Sequence, residues 1–226
     1  MYFQLINLRS MFKKNAIRLS MVVVAVTLCL FTATARKSHY RNLKPANGDV
    51  NCIRNFAPRF SNTLYSTSVD ITKHHFSGIL FFKHMPDSST RVVFANEMGV
   101  KFFDFGFTKD DQFIKYYVMP KLDKKVVVKA LKKDLELVIM HQDLSQAVLL
   151  RDSTYNYTAI PNKKGNDYYI TDHCSKLIRI EKASKKKAVV EVQMLDYNNG
   201  VPDSISIVHK NFKFNILLKR VEKESD

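Results

Sequence analysis

From Leu64 onward the chain alternates apolar and polar residues. Tyr65, Thr67, Val69 and Ile71 interleave with Ser66, Ser68 and Asp70, the two-residue period of a strand with one buried face. A second strand is predicted from about His75 to Lys83, where Ile79, Leu80, Phe81 and Phe82 make both faces apolar, so both need cover. Met85 to Ser89 reads as a turn, Thr90 to Ala95 as strand three and Val100 to Phe107 as strand four, and Tyr116 to Met119 ends a fifth at Pro120. Along the fourth, Phe103, Phe105 and Phe107 share one face, while Val100, Phe102, Asp104 and Gly106 share the other.

The period then becomes helical. Asp123 is the expected N-cap, Val127, Ala130, Leu131, Leu135, Val138 and Ile139 fall on one stripe, and Lys124, Lys125, Lys129, Lys132 and Lys133 lie largely opposite. Asp143 to Ala147 is a short turn. Strands are then predicted at Ala147 to Arg151, Tyr155 to Ile160, Tyr168 to Ile170, Lys176 to Lys182, Ala188 to Leu195, Ser204 to Val208 and Asn211 to Val221. They are parted by turns at Lys163-Lys164-Gly165-Asn166, Ser184 to Lys187, Asn198-Asn199-Gly200 and His209-Lys210-Asn211. In the last strand Phe212, Phe214, Ile216 and Leu218 point one way.

These elements predict a mainly β (α+β) fold: a strongly curved antiparallel sheet, or half-barrel, covered by the amphipathic helix. A curved sheet with a lid makes a pocket. Its candidate apolar binding face carries Phe103, Phe105, Phe107, Phe212, Phe214, Ile216 and Leu218, and Val127, Leu131, Leu135 and Val138 form the underside of the lid helix. Core packing is the competing explanation of every one of these rings.

The tightest turn is the most unusual. Asn96-Glu97-Met98-Gly99 carries a long bare hydrophobe at its tip, where turns ordinarily hold small or polar residues, so Met98 is either folded back onto the sheet or kept for an apolar partner. The ends of the chain bear on which partner that is. Arg9, Lys13, Lys14 and Arg18 precede an apolar run from Met21 to Phe31 that closes on Ala33-Thr34-Ala35, a secretory signal with cleavage expected after Ala35. Residues 36–62 then read as a basic lead-in with one short helix around Asn51 to Phe60, and 63–226 as a single domain. Cys29, in Val26-Thr27-Leu28-Cys29, imitates a lipoprotein signal. Leu28 argues against it, and both readings stay open: acylation at Cys29 or simple cleavage.

The leader holds four of the 36 basic residues and none of the 21 acidic ones, so the mature chain keeps a net charge of +11. For an exported chain this favours lipid headgroups or acidic surface polymers over nucleic acid, and no RNA-binding or helix-turn-helix signature is present. Cys52 and Cys174 are able to pair in an oxidising compartment; a free thiol at Cys174 is the alternative. No Gly-x-Ser-x-Gly elbow, His-Glu-x-x-His, phosphate loop or dinucleotide fingerprint occurs, and His74-His75 point to opposite strand faces, so neither catalysis, a metal nor a cofactor is expected.

Three places together resemble the lipoprotein-localisation family of LolA/LolB-like periplasmic carriers and outer-membrane receptors. Arg91-Val-Val-Phe-Ala-Asn-Glu-Met-Gly-Val is similar to the strand and Asn-x-Leu-Gly turn of the receptor, with Met98 in the position of a protruding Leu and Asn96 and Gly99 shaping the turn. The helix from Asp123 matches a helix over the half-barrel, and Pro202-Asp-Ser-Ile-Ser-Ile-Val-His followed by Phe212 to Val221 matches the closing hairpin. The chain departs from the family in the poor lipidation context of Cys29 and in having no Trp. The resemblance implies a monomeric, non-enzymatic protein that binds lipid acyl chains or lipoproteins and touches a membrane surface transiently at Met98. It implies a periplasmic protein, or one on the inner face of the outer membrane, that transfers its ligand to that membrane. An envelope scaffold that holds a protein partner on the same fold is the alternative.

Overall fold

The computed structural model describes residues 39–221; the expected leader, its cleavage site and Cys29 fall outside them. Two 3₁₀ turns, His39–Asn42 and Val50–Phe56, flank a short strand, β1 (Lys44–Pro45). Five long strands follow: β2 (Asn62–Ile71), β3 (His74–His84), β4 (Thr90–Ala95), β5 (Lys101–Phe107) and β6 (Phe113–Val118). After helix α1 (Lys125–Ile139) come β7 (Val148–Arg151), β8 (Asn156–Asn162), β9 (Gly165–Asp172), β10 (Lys176–Ser184), β11 (Ala188–Asn198), β12 (Val201–His209) and β13 (Phe214–Arg220).

The strands form one antiparallel sheet in the order β1-β7-β8-β9-β10-β11-β12-β13-β2-β3-β4-β5-β6. Two meanders are thus joined by the pairing of β13 with β2, Phe214 lying opposite Ile71 and Leu218 opposite Thr67. Turn chemistry supports the hairpins: Asn199 and Gly200 both have positive φ, 53° and 78°, the conformation that two-residue hairpin loops need. The edges differ. Pro45 blunts β1, because proline offers no N–H to a further strand, while among the described residues no strand pairs with the outer side of β6.

The sheet is curved around α1. Lys132 places its ammonium 5.1 Å from the Phe113 ring centroid on β6, and Asp134, two residues on, is 2.8 Å from His209 on β12. In a flat sheet β6 and β12 would be six inter-strand spacings apart, roughly 29 Å, so only a strongly bent one lets a single helix turn touch both. This is the curved, mainly β architecture with one covering helix that the apolar pattern predicts.

Inside the bend lies one large core that joins both meanders and the helix, among them Leu80, Val92, Phe105, Val192, Ile207 and Ile216 from the sheet and Leu131, Leu135 and Val138 from α1. Each of the buried helix side chains contributes about 2 kcal/mol of apolar burial, which seats a helix that has no acidic residue in its first turn. The N-cap is Lys124 rather than Asp123, because the Asp123 carboxylate takes both its oxygens to Lys115 at 2.9 Å and leaves the helix end uncapped. The helix ends on Met140 in the left-handed conformation. The start of the lead-in covers the convex side of β8 to β10, where Tyr40 stacks on Tyr168 at 4.4 Å and donates to Glu181 at 2.6 Å, while Ile53 and Phe60 further along join the main core. The Cys52 and Cys174 sulfurs are bonded, tying the second 3₁₀ turn to the β9–β10 turn.

Candidate functional site

Six of the seven residues of the expected binding face lie on the concave side: Phe103, Phe105, Phe107, Phe214, Ile216 and Leu218 are all under a tenth exposed. The seventh, Phe212, does not join them. The last strand begins at Phe214 rather than Asn211, so Phe212 lies in the preceding turn, 49% exposed. Phe102, expected on the far face of β5, also points inward. A register shift at Phe94/Ala95 places two consecutive residues on one side, and its ring packs 5.4 Å from Phe76 and 4.8 Å from Phe94. Strict alternation along β5 hides this bulge.

The ring chain continues through Phe103 stacked on Phe105 at 4.6 Å, with Phe113 edge-on to Phe105 at 5.0 Å. Over it lies α1, with Leu131, Leu135 and Val138 almost wholly buried and Val127 half-buried. The expected mouth of the half-barrel is therefore occupied by its own helix, and the apolar face and the helix underside form a closed seam. Leu137, off the predicted stripe, is buried as well, because the sheet wraps the helix on more than one side.

The seam also contains charge that the hydropathy pattern does not reveal. Asp134 and His209 meet there with 1% and 6% of their side chains exposed. Burial pushes the Asp134 carboxyl up, and the hydrogen bond from His209 does not offset it. On β9 and β10 Asp167 stands opposite Lys182; burial raises the acid and lowers the lysine. Tyr169, buried on the same face, has a hydroxyl with no hydrogen-bond partner. Polar groups of this kind cost several kcal/mol when imperfectly paired, so the helix seat is less stable than an all-apolar one of the same area. Periodicity marks the stripe but not what its gaps contain, and only the fold brings residues 134, 167, 182 and 209 together.

The Met98 turn is built from the backbone outward. The Asn96 side-chain oxygen accepts from the Val100 N–H at 2.8 Å, the Gly99 N–H donates to the Asn96 carbonyl at 3.0 Å, and Gly99 has φ of 80°. This hairpin end holds Met98 88% exposed. Behind it, on the convex face, Arg91 grips the buried Asp104 with two bonds of 2.8 and 2.9 Å, and Lys101 adds a third contact at 3.3 Å. Burial raises that carboxyl, but the two cations outweigh it and hold it below the usual carboxylate range. The Arg91 guanidinium lies 4.5 Å over the exposed Tyr116 ring. A groove of about 440 Å³, lined by Ser66, Ser68, Ser204, Ser206 and Leu217, opens on the convex face, which the sequence reading did not single out. Among the described residues no group of three or more metal-ligating side chains comes together, and no helix is long and apolar enough to cross a membrane.

No family profile and no curated protein sequence matches the chain. Among solved structures it is similar to a LolA superfamily protein from Nitrosomonas europaea, at 10% identity over 80% of this chain and 95% of that one, with a TM-score of 0.48. It is also similar to a DUF1329 family protein from Desulfovibrio piger, at 8% identity over 76% and 88% of the two chains, with a TM-score of 0.43.

Proposed function

We propose that this protein handles lipid or lipoprotein acyl chains in the cell envelope without catalysing a reaction, that the chains enter the seam between α1 and the concave sheet, and that Met98 is a membrane-touching tip. The observation that carries the reading is the seam itself: a continuous apolar face roofed by one helix whose underside holds Asp134 against His209. Such a helix is held well enough to close the site and poorly enough to leave it. Each acyl CH₂ buried yields about 0.8 kcal/mol, so a chain of fourteen carbons gains on the order of 10 kcal/mol, ample to take the place of the helix side chains.

Met98 supplies the second half of the reading. One Met side chain entering a bilayer gains only about 1.5 to 3 kcal/mol, enough for brief contact and too little for anchorage, which suits a transfer step. The Cys52–Cys174 bond suits an oxidising, extracytoplasmic compartment. Native mass spectrometry of the purified protein tests the proposal: copurified lipid or an added acyl probe should appear as bound mass. Preparations that are always ligand-free and bind no acyl probe would refute it.

The scaffold reading has one observation in its favour, the dense filling of the concave face by the chain's own rings. It expects a protein partner and no bound acyl mass in the same spectra.

A further inference from the structure

The antiparallel register sorts the hairpin turns into two sets, one at each end of the sheet. The turns β2–β3, β4–β5, β8–β9, β10–β11 and β12–β13 share one end; β3–β4, β5–β6, β7–β8, β9–β10 and β11–β12 share the other. Their charges are opposite. The first set carries Lys73, Lys163, Lys164, Lys185, Lys186, Lys187, Lys210 and Lys213 against the single acid Glu97. The second carries Asp87, Asp110, Asp111 and Asp152 against the single Lys109.

At the basic end four turns are level with one another. Gly165 pairs with Ser184, the Lys210 N–H donates to the Val189 carbonyl, and the Thr72 N–H donates to the Lys213 carbonyl, so the lysine turns stand side by side. Their eight lysines are all exposed, and among the described residues the one acid paired with any of them is Glu191, 3.0 Å from Lys210. In the middle of this row stands Phe212, half out in solvent with its ring tilted 4.8 Å from that of His209. The β4–β5 turn with Met98 belongs to the same end but is set back to the level of Gly78, a step that tilted strands in a curving sheet produce. An apolar ring inside a row of cations has the composition of a surface that meets negatively charged headgroups over hydrocarbon, not of a soluble acidic protein's partner.

We infer that this lysine-bearing end is the face by which the protein docks on an anionic lipid bilayer, with Phe212 as an inserted side chain in addition to Met98 and the acidic end held away from the membrane. The inference rests on the lipid-handling reading but is separable from it. Each lysine near an anionic surface and each inserted ring contributes to binding, so neutralising three of them changes affinity steeply.

The test is co-sedimentation of the protein, purified as the cell processes it, with vesicles of phosphatidylcholine alone and with 30% phosphatidylglycerol, a composition chosen for the experiment. It compares the wild type, the triple variant Lys185→Gln, Lys186→Gln and Lys187→Gln, Phe212→Ser, and Lys109→Gln from the opposite end. Binding should require the anionic lipid, fall on the order of a hundredfold in the triple variant and roughly tenfold in Phe212→Ser, and stay unchanged in Lys109→Gln. Equal binding to both vesicles, or a triple variant that binds like wild type, would overturn the inference. So would Phe212→Ser binding the anionic vesicles like wild type while the triple variant loses them, which would mark purely electrostatic contact of the kind a soluble polyanion makes. Acyl-probe binding measured on the same samples keeps the two claims apart: retained acyl binding without vesicle preference removes the docking face alone, and absent acyl binding in the wild type removes the lipid-handling reading.

Discussion

Gly78 runs so close beneath Ala95 that a Cβ at that glycine would stand 2.1 Å from the Ala95 carbonyl oxygen and 2.9 Å from the Asn96 Cα. Its φ of 159° is one that L side chains rarely adopt, so contact and conformation both call for glycine here. The base of the Met98 hairpin rests on this bare spot. Gly78→Ala should push β4 away from β3, disturb the Asn96 turn and cost about 1–3 kcal/mol, the range for overpacking. The midpoint of denaturant unfolding measures the loss, and an unshifted midpoint would show that β4 yields freely.

Met98→Glu alters a side chain that touches almost nothing. Fold and acyl binding should persist, while delivery of a fluorescent acyl ligand to liposomes slows several-fold, because a charge replaces the apolar tip. Delivery at the wild-type rate would remove the tip from the mechanism.

Leu135→Ala removes a side chain that is 2% exposed from the middle of the seam. Stability should fall by about 2–5 kcal/mol, as for other buried leucines, and thermal unfolding reads this directly. If the cavity is then filled by ligand, added acyl probe restores part of the loss.

Asp134 sets a pH dependence. Its folded pKa lies above the ordinary 3.8 because of burial, with His209 and Lys182 as the opposing groups facing it. The native state therefore holds that proton more tightly than the unfolded chain, and the associated stability is complete below 3.8 and lost as pH rises through the folded value. Asp167, raised for the same reason, adds in the same direction. Asp134→Asn should flatten the decline in stability that sets in as pH rises above 3.8, followed by urea unfolding across a pH series. An unaltered slope would place the titration elsewhere.

Cys52→Ser with Cys174→Ser opens a link across 122 residues. The expected cost is about 2–4 kcal/mol, visible as a lower thermal midpoint that reducing agent brings about in wild type but not in the double variant.

Much of this fold is legible from alternation alone. Strand β4 is read residue for residue, and β2, β3 and β5 to within a few, since a strand with one face on a core must repeat every second residue. What escapes has physical reasons. The two-residue β1 is too short to show a period, and its pairing with β7 is fixed by distant chain. Phe102 turns inward through a bulge that composition does not mark, and Asp123 fails as a cap because Lys115 competes for it. Phe212 looks like strand from its spacing, yet the turn takes it.

The site is legible only in outline. Its aromatic face and the helix that covers it follow from two periodicities, but the polar groups beneath the helix come from four elements widely separated in sequence. Likewise each lysine pair or triplet reads as an ordinary turn until the register aligns the turns along one end of the sheet.

The most direct test is hydrogen exchange of α1 with and without a saturating acyl probe whose bound mass is checked in parallel. If acyl chains enter between the helix and the concave sheet, one complex should form and the amides around Leu131, Leu135 and Val138 should change their exchange rate while those of β10 and β11 hold theirs. A probe that binds without altering those helix amides, or that fails to bind at all, would contradict the account.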